Sequence, residues 1–133
     1  MIERMVFCIG TLFSGKKKMR LWDENGRLFL SYEGDEYQNG IVYSKEVTKE
    51  ERAVFEKKIE VLNIYSWRKD YDNLRVLDGI QWSLDYKETD KKNCRHIYGS
   101  NLYPECWNAF IDAVEELVPE IHEKAGNDEG YRI

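Results

Sequence analysis

The sequence predicts an α+β fold, a two-layer sandwich in which a mostly antiparallel sheet carries both helices on one face. Three observations indicate this class. Short β-rich segments separated by Asn-Gly turns fill the first part of the chain. Two amphipathic segments with helical periodicity follow Thr48 and Pro104. A second pair of β-rich segments lies between them, so the predicted order of elements is β-β-β-β-α-β-β-α.

Four strands are predicted before the first helix, at residues 4–13, 19–22, 28–32 and 41–47. Ser14-Gly15 ends the first strand, and the basic run 16–18 is interpreted as the tip of the first hairpin. As the main basic cluster of the chain, this segment could also contact an anion. Asn25-Gly26 and Asn39-Gly40 tolerate the positive φ angles of tight turns. The four segments are therefore expected to form a meander of antiparallel hairpins.

The first helix is predicted to begin after Thr48. The pattern Thr48-Lys49-Glu50-Glu51 matches a capping box, in which the hydroxyl and the glutamate each bond a free backbone N–H group. Asn63 is predicted to end the helix. Its apolar side chains share one side at 100° per residue, and they are Val54, Phe55, Ile59, Val61 and Leu62.

An irregular, aromatic segment is predicted at residues 64–75, before the second hairpin. The clearest alternation in the chain follows it, with Ile80, Trp82, Leu84 and Tyr86 on one face of a half-buried strand. A polar turn at 89–93 and a return strand at 94–98 complete the hairpin.

The last helix is predicted to begin at Pro104, because a missing N–H costs nothing at the first helical position. Pro119 should end or kink it. A single buried stripe is expected from its apolar residues Trp107, Phe110, Ile111, Val114, Leu117 and Val118.

Length and composition predict one domain. The chain has 133 residues, and we expect a domain over 1–125 with a flexible tail at 126–133. No apolar run approaches the roughly 20 residues of a membrane span, and residues 1–10 lack the pattern of a signal peptide, so no membrane partner is expected. An odd number of cysteines, with no secretion signal, fits a reducing cytoplasm.

The charge balance argues against a nucleic-acid partner. With 20 basic and 25 acidic residues, the chain has a net charge of −5, whereas proteins that neutralise phosphates usually present a basic face. Residues 104–133 hold eight acids and two bases, a net charge of −6, so the rest of the chain sums to +1. This acidic segment is expected to be a solvated face.

Residues 78–84 (D-G-I-Q-W-S-L) and 98–104 (Y-G-S-N-L-Y-P) resemble the motifs of a group of small, uncharacterised bacterial domains. The resemblance also takes in Leu30-Ser31-Tyr32, the helix start at Thr48 and residues 63–67, and it covers most of residues 12–118. It implies a bacterial cytosolic domain with the order of elements given above. It implies no activity and no catalytic residue.

The favoured functional hypothesis is a non-enzymatic interaction module for a protein partner or a second copy of the chain. Aromatic residues make up 14% of the sequence, and several fall outside the predicted helices and strands. Because exposed Tyr and Trp are enriched at interfaces, these side chains could form a recognition surface.

A free sheet edge is the other surface that could bind the partner. The candidate contact residues are Tyr65, Trp67, Tyr71 and Tyr103. Alternatively, residues 64–75 pack as a lid over one end of the core.

Two further hypotheses compete with this one. A small ligand could bind in a cleft between sheet and helices, lined by Trp82, Tyr86, Tyr98 and Trp107. An enzyme could use the neighbouring Cys94 and His96 with an acid such as Asp85.

The sequence predicts no metal and no cofactor. Cys94, His96, Cys106 and His122 could in principle supply four zinc ligands. Their spacing does not match a structural zinc site, which usually rests on paired close ligands such as C-x₂-C.

Overall fold

The computed structural model describes residues 1–11, 15–72 and 79–121. The predicted α+β class is confirmed: one sheet of seven strands, in the order β4-β3-β2-β1-β6-β7-β5, is accompanied by two α-helices. The strands are β1 (Ile2–Thr11), β2 (Gly15–Glu24), β3 (Arg27–Glu33), β4 (Val42–Val47), β5 (Asp70–Asp72), β6 (Gln81–Glu88) and β7 (Arg95–Ser100). The helices are α1 (Lys49–Leu62) and α2 (Trp107–Leu117). The predicted tail at 126–133 lies outside the described residues.

The sheet is antiparallel except at one edge. Every neighbouring pair of strands is antiparallel apart from β5, which runs parallel to β7. This three-residue strand falls within the segment predicted to be irregular, so the prediction is wrong there and the observed order has one strand more. A strand with a single buried side chain, Tyr71, is too short to show an alternating pattern.

Both helices lie on one face of the sheet, as predicted. Successive side chains of a strand point to opposite faces, and on β1 the buried residues are Met5, Phe7 and Ile9. The Phe7 ring contacts Trp107 and Phe110 of α2 with centroid distances of 5.8 and 5.1 Å. The other face carries no helix among the described residues, and we call it the open face.

Helix α1 begins and ends as predicted. The Glu51 N–H donates to Thr48 Oγ1, and the Thr48 N–H donates to the Glu51 carboxylate, both at 3.0 Å. Asn63 ends the helix in the left-handed conformation, with φ of 48°. The predicted stripe is too wide, because Val54 and Val61 are exposed. The helix contacts the sheet along the narrower line of Arg52, Phe55 and Ile59.

Helix α2 buries the predicted stripe but starts later than predicted. Its first residue is Trp107, and Cys106 occupies the capping position without a side-chain cap. Pro104 therefore precedes the helix instead of opening it. The helix ends at Leu117, two residues before Pro119, as expected from the effect of proline on a helix.

The sequence predicted that the basic run 16–18 forms a hairpin tip. This prediction is wrong, because β2 begins at Gly15 and includes the run. The strand alternation turns Lys17 toward the helices, where it is buried and donates from Nζ to the Ile121 carbonyl at 2.8 Å. A long lysine stem can lie in an apolar layer when its ammonium finds an acceptor. Lys16 and Lys18 project from the opposite side of the strand.

A buried arginine joins α1 to two parts of the sheet. Arg52 donates to Asp23 Oδ2 at 2.7 Å and to the Ile2 carbonyl at 3.1 Å, and it forms an ion pair with Glu56. The hydrogen bond from Arg52 is the main reason that the pKa of Asp23 is lowered from its usual value. Removing one partner of such a buried pair leaves the other charge uncompensated.

We expect Arg52→Met to lower the free energy of unfolding by roughly 3 kcal/mol, because Asp23 and Glu56 lose their cation. Urea denaturation measures this, and Lys57→Met, on the exposed side of the same helix, should change it by less than about 0.5 kcal/mol. A lowered pKa in the folded state stabilises the protein above the unfolded pKa. Wild-type stability should therefore fall as pH drops through the acidic range, and Arg52→Met should lose part of that dependence. Equal unfolding free energies for both variants would contradict this role.

Candidate functional site

The aromatic motifs identified in the sequence meet inside the core. The Trp82 indole lies at their centre, with ring centroids 4.7 Å from Trp107, 5.7 Å from Tyr71 and 6.5 Å from Tyr103. Its Nε1 donates to the Leu102 carbonyl at 3.0 Å. All four rings are almost completely buried, so this cluster is packing and not a surface.

The glycines of the two motifs make room for this packing. A methyl group on Gly99 would lie 2.0 Å from Trp82 Nε1, so only glycine fits beneath the indole. Gly79 has φ of +123°, and a methyl group there would lie 2.1 Å from Asn101 Oδ1. Asn101 itself accepts the Ile80 N–H at 2.9 Å. The two motifs therefore hold one another in place, with Asp78 lying outside the described residues.

The predicted recognition surface is wrong for three of its four residues. Trp67, Tyr71 and Tyr103 are buried in the core, each no more than 5% exposed. Trp67 Nε1 donates to the Leu62 carbonyl at 3.0 Å, and the Tyr71 hydroxyl accepts the Arg68 N–H at 3.0 Å. Because the polar atoms of the Trp67 and Tyr71 rings are hydrogen-bonded within the chain, the rings can be buried without an unpaired donor or acceptor. For residues 64–72, the described part of the segment 64–75, burial of Trp67 and Tyr71 agrees with the alternative in which the segment packs over the core.

Tyr65, the fourth residue, is half-buried and links two segments of the chain. Its hydroxyl accepts the Glu88 N–H and donates to the Asn93 carbonyl, both at 3.1 Å. Its ring lies 5.7 Å from that of Tyr86, edge to face. These contacts tie the segment after α1 to the β6–β7 hairpin, which is a structural role.

The predicted cleft between sheet and helices is also wrong. Trp82 and Trp107 fill this space with each other, whereas Tyr86 is buried four residues farther along β6, against Tyr65. Tyr98 projects from the open face, because its neighbours Ile97 and Gly99 face the helices. Tyr86 does border a depression of about 380 Å³ beside α1, but the depression is lined mainly by polar side chains and not by the predicted aromatic set.

Two of the three predicted enzyme residues lie together on the open face. His96 Nδ1 lies 2.6 Å from Asp85 Oδ1, as expected for residues paired across β6 and β7. The imidazole is 71% exposed, so the pair lies on a flat, wet surface. Cys94 Sγ donates to the Arg95 carbonyl at 3.9 Å, and no hydrogen bond joins Cys94 to His96. An aspartate–histidine pair can move a proton, but the predicted nucleophile is not aligned with it.

The described residues contain no group of three or more side chains able to hold a metal ion. Of the four ligands considered from the sequence, His122 lies outside the described residues. Cys106 is half-buried, and burial raises the pKa of its thiol, which disfavours the reactive thiolate.

Among the described residues, a prominent exposed apolar group lies beside the β4 edge, and none of its members was among the predicted contact residues. Tyr37 is 79% exposed, Val42 66% and Ile41 43%. We call these three residues the edge patch. They surround the Asn39-Gly40 turn that leads into β4, the last strand on this side of the sheet.

The loop that carries Tyr37 is held firmly by its neighbour. Gln38 donates from Nε2 to the Glu120 carbonyl at 2.9 Å, and its Oε1 accepts the Tyr32 hydroxyl at 2.6 Å. Asp35 accepts the Gln38 N–H and caps the short 3₁₀ turn at 36–38. Tyr37 therefore projects from an ordered turn, and the hydrogen bonds of Gln38 and Asp35 keep its side chain exposed.

No described strand pairs with the outer side of β4, which leaves the backbone groups there without a ladder partner among residues 1–11, 15–72 and 79–121. Its inner side pairs with β3, and the Ile41 carbonyl accepts the Gly34 N–H at 2.7 Å. In an antiparallel ladder every second residue bonds the neighbour, so the groups of Val42, Ser44 and Glu46 point outward. These outward groups and the edge patch together form the candidate site.

Alanine substitutions should separate core aromatics from surface ones. We expect Trp67→Ala to lower the free energy of unfolding by about 3–5 kcal/mol, the usual effect of emptying a buried aromatic site. Tyr37→Ala should change it by less than about 0.5 kcal/mol, because that ring is exposed. Chemical denaturation of both variants checks this. A small effect of Trp67→Ala, or a large one of Tyr37→Ala, would contradict the placement of the two rings.

Within the described residues, no helix is long and apolar enough to cross a membrane.

Comparison with known proteins adds no functional assignment. No protein-family model matches the chain, and neither a curated protein nor a solved structure is significantly similar to it.

Proposed function

We propose that this protein is an interaction module that binds an extended strand of a protein partner along the edge of β4. The observation that carries the proposal is the unpaired outer side of β4 next to the exposed edge patch of Tyr37, Ile41 and Val42. Main-chain hydrogen bonds to such an edge supply affinity, and side-chain contacts supply specificity.

The opposite edge of the sheet suits a partner less well. Strand β5 has three residues, and its two exposed side chains are the carboxylates Asp70 and Asp72. A short, charged edge is one of the ways in which proteins discourage strand pairing. Strand β4 is twice as long, and its first part carries no charge.

The charge pattern of β4 favours one register of the bound strand. Lys45 and Glu46 lie in its second half, where Glu46 is bonded to Arg27 at 2.9 Å and Lys45 pairs with Glu51 at 3.7 Å. Val42 lies at the other end, beside the exposed Tyr37 and Ile41. A partner strand should therefore be apolar opposite Val42 and polar opposite Lys45.

The proposal includes a bacterial, cytoplasmic setting, for which two features of the chain give support. Cys8, Cys94 and Cys106 are free thiols and form no disulfide. The chain also carries the motifs that resemble the group of small bacterial domains, and Trp82, Gly99 and Asn101 of those motifs are buried in this fold.

Val42→Lys should abolish partner binding, because a lysine at the start of the edge opposes a second strand. Val61→Lys is the matched control, since Val61 is 80% exposed on α1 and the charge change is the same. We expect wild type and Val61→Lys to retain the same protein from cells of the source organism, or to form the same dimer, and Val42→Lys to lose it.

Hydrogen exchange then distinguishes strand pairing from other contacts. In the complex, the amides of Val42, Ser44 and Glu46 should gain protection, because they are the ones that point outward. Complex formation by Val42→Lys, no complex with wild type, or protection confined to other elements would contradict the proposal.

A further inference from the structure

The open face of the sheet carries a row of cations along one strand. Because the side chains of β2 alternate, Met19 and Leu21 point to the helices while Lys16, Lys18 and Arg20 point away. Residues two apart on a strand are separated by about 6.7 Å. The three cations therefore form a straight line on a flat surface, which we call the cation row.

The members of the cation row are available to a ligand. Lys16 and Arg20 are exposed and Lys18 is half-buried. None of the three side chains forms a hydrogen bond or an ion pair with a described residue. Two other bases of the sheet are already engaged: Arg27 pairs with Glu46, and Lys87 pairs with Glu3 at 3.2 Å.

The cation row is one strand wide. On β1, the residues that face it across the ladder are Val6, Cys8 and Gly10, which carry no charge. Glu33 lies opposite Lys18 on β3, and Asp85 lies beyond Val6 on β6. A wide anionic ligand, such as a duplex or an anionic membrane, would place phosphates over these carboxylates. A single linear polyanion can follow β2 alone and keep its phosphates over the cations.

An aromatic pair continues the line of cations. Trp22 is the next residue of β2 on the open face, and its ring stacks on Phe29 with centroids 6.0 Å apart. The Arg27 guanidinium lies 5.6 Å from the centroid of the Phe29 ring. Cations that follow a backbone and an aromatic ring on which a base can stack are the two features of single-strand recognition.

We propose that the open face binds single-stranded nucleic acid along β2, with phosphates on Lys16, Lys18 and Arg20 and a base against Trp22. This site lies on the open face two strands from β4, uses different residues from the β4 edge, and does not rest on the function proposed above. The net charge of −5 predicted no nucleic-acid partner. That prediction considered the charge along the sequence and not its distribution over the two faces of the sheet, and α2 and its carboxylates lie on the opposite side of the sheet from the cation row.

The test is fluorescence anisotropy with a labelled 12-nucleotide oligothymidylate at several salt concentrations. For three phosphate contacts, the logarithm of the binding constant should fall against the logarithm of salt with a slope of about −2, since each contact on a single strand contributes about −0.7. The variant Lys16→Gln/Lys18→Gln/Arg20→Gln should bind at least tenfold more weakly at low salt. The control Lys49→Gln/Lys57→Gln/Lys92→Gln has the same net charge and should bind within about twofold of wild type.

Three further results decide the proposal. Trp22→Leu should weaken binding without changing the salt slope, because it removes stacking and not a phosphate contact. Val42→Lys should not weaken oligonucleotide binding, because it removes no member of the cation row and adds a positive charge, so failure of this site and failure of the edge site are distinguishable. No binding by wild type, equal losses in both triple variants, or tighter binding of a duplex, polyglutamate or anionic vesicles would overturn the proposal.

Discussion

The packing of one indole against one glycine holds together the part of the sheet that the sequence motifs encode. Trp82 lies over Gly99, where any side chain would occupy the space of the indole ring. The indole Nε1 donates a hydrogen bond to the Leu102 carbonyl at 3.0 Å. From there the contacts spread to Tyr71 of the edge strand and to Trp107 of α2. The most conspicuous residues of the chain are thus used for folding, and the surfaces that remain for function are the less conspicuous ones.

Placing both helices on one face determines which surfaces remain. The helix layer buries the aromatic core and leaves the other face of seven strands open. Antiparallel sheets can face water on one side, and their outer strands keep unpaired backbone groups. Strand β4 presents such an edge beside an apolar group, and β2 presents a line of cations on the open face. Both of the binding surfaces that we propose therefore follow from a single packing arrangement.

Local signals predicted the fold well and the site poorly. The capping box at Thr48 and the alternation around Trp82 depend on neighbouring residues, so the sequence alone is enough to recognise them. The short parallel strand β5 depends on a distant partner, β7, and has no such signal. The burial of Trp67 and Tyr103 likewise follows from tertiary packing. The cation row could have been found: extending the second predicted strand back to Gly15 places Lys16, Lys18, Arg20 and Trp22 on one face.

A double-mutant cycle between Trp82 and Gly99 tests the central claim most directly. Gly99→Ala should be strongly destabilising in the wild-type background, because its methyl group meets the indole. In the Trp82→Leu background, the same substitution should cost little, since the clashing atoms are gone. Urea denaturation should therefore give a coupling free energy above about 1 kcal/mol, within the range of contacting residues. Additive effects of the two substitutions would contradict the account and show that Gly99 serves the backbone rather than the indole.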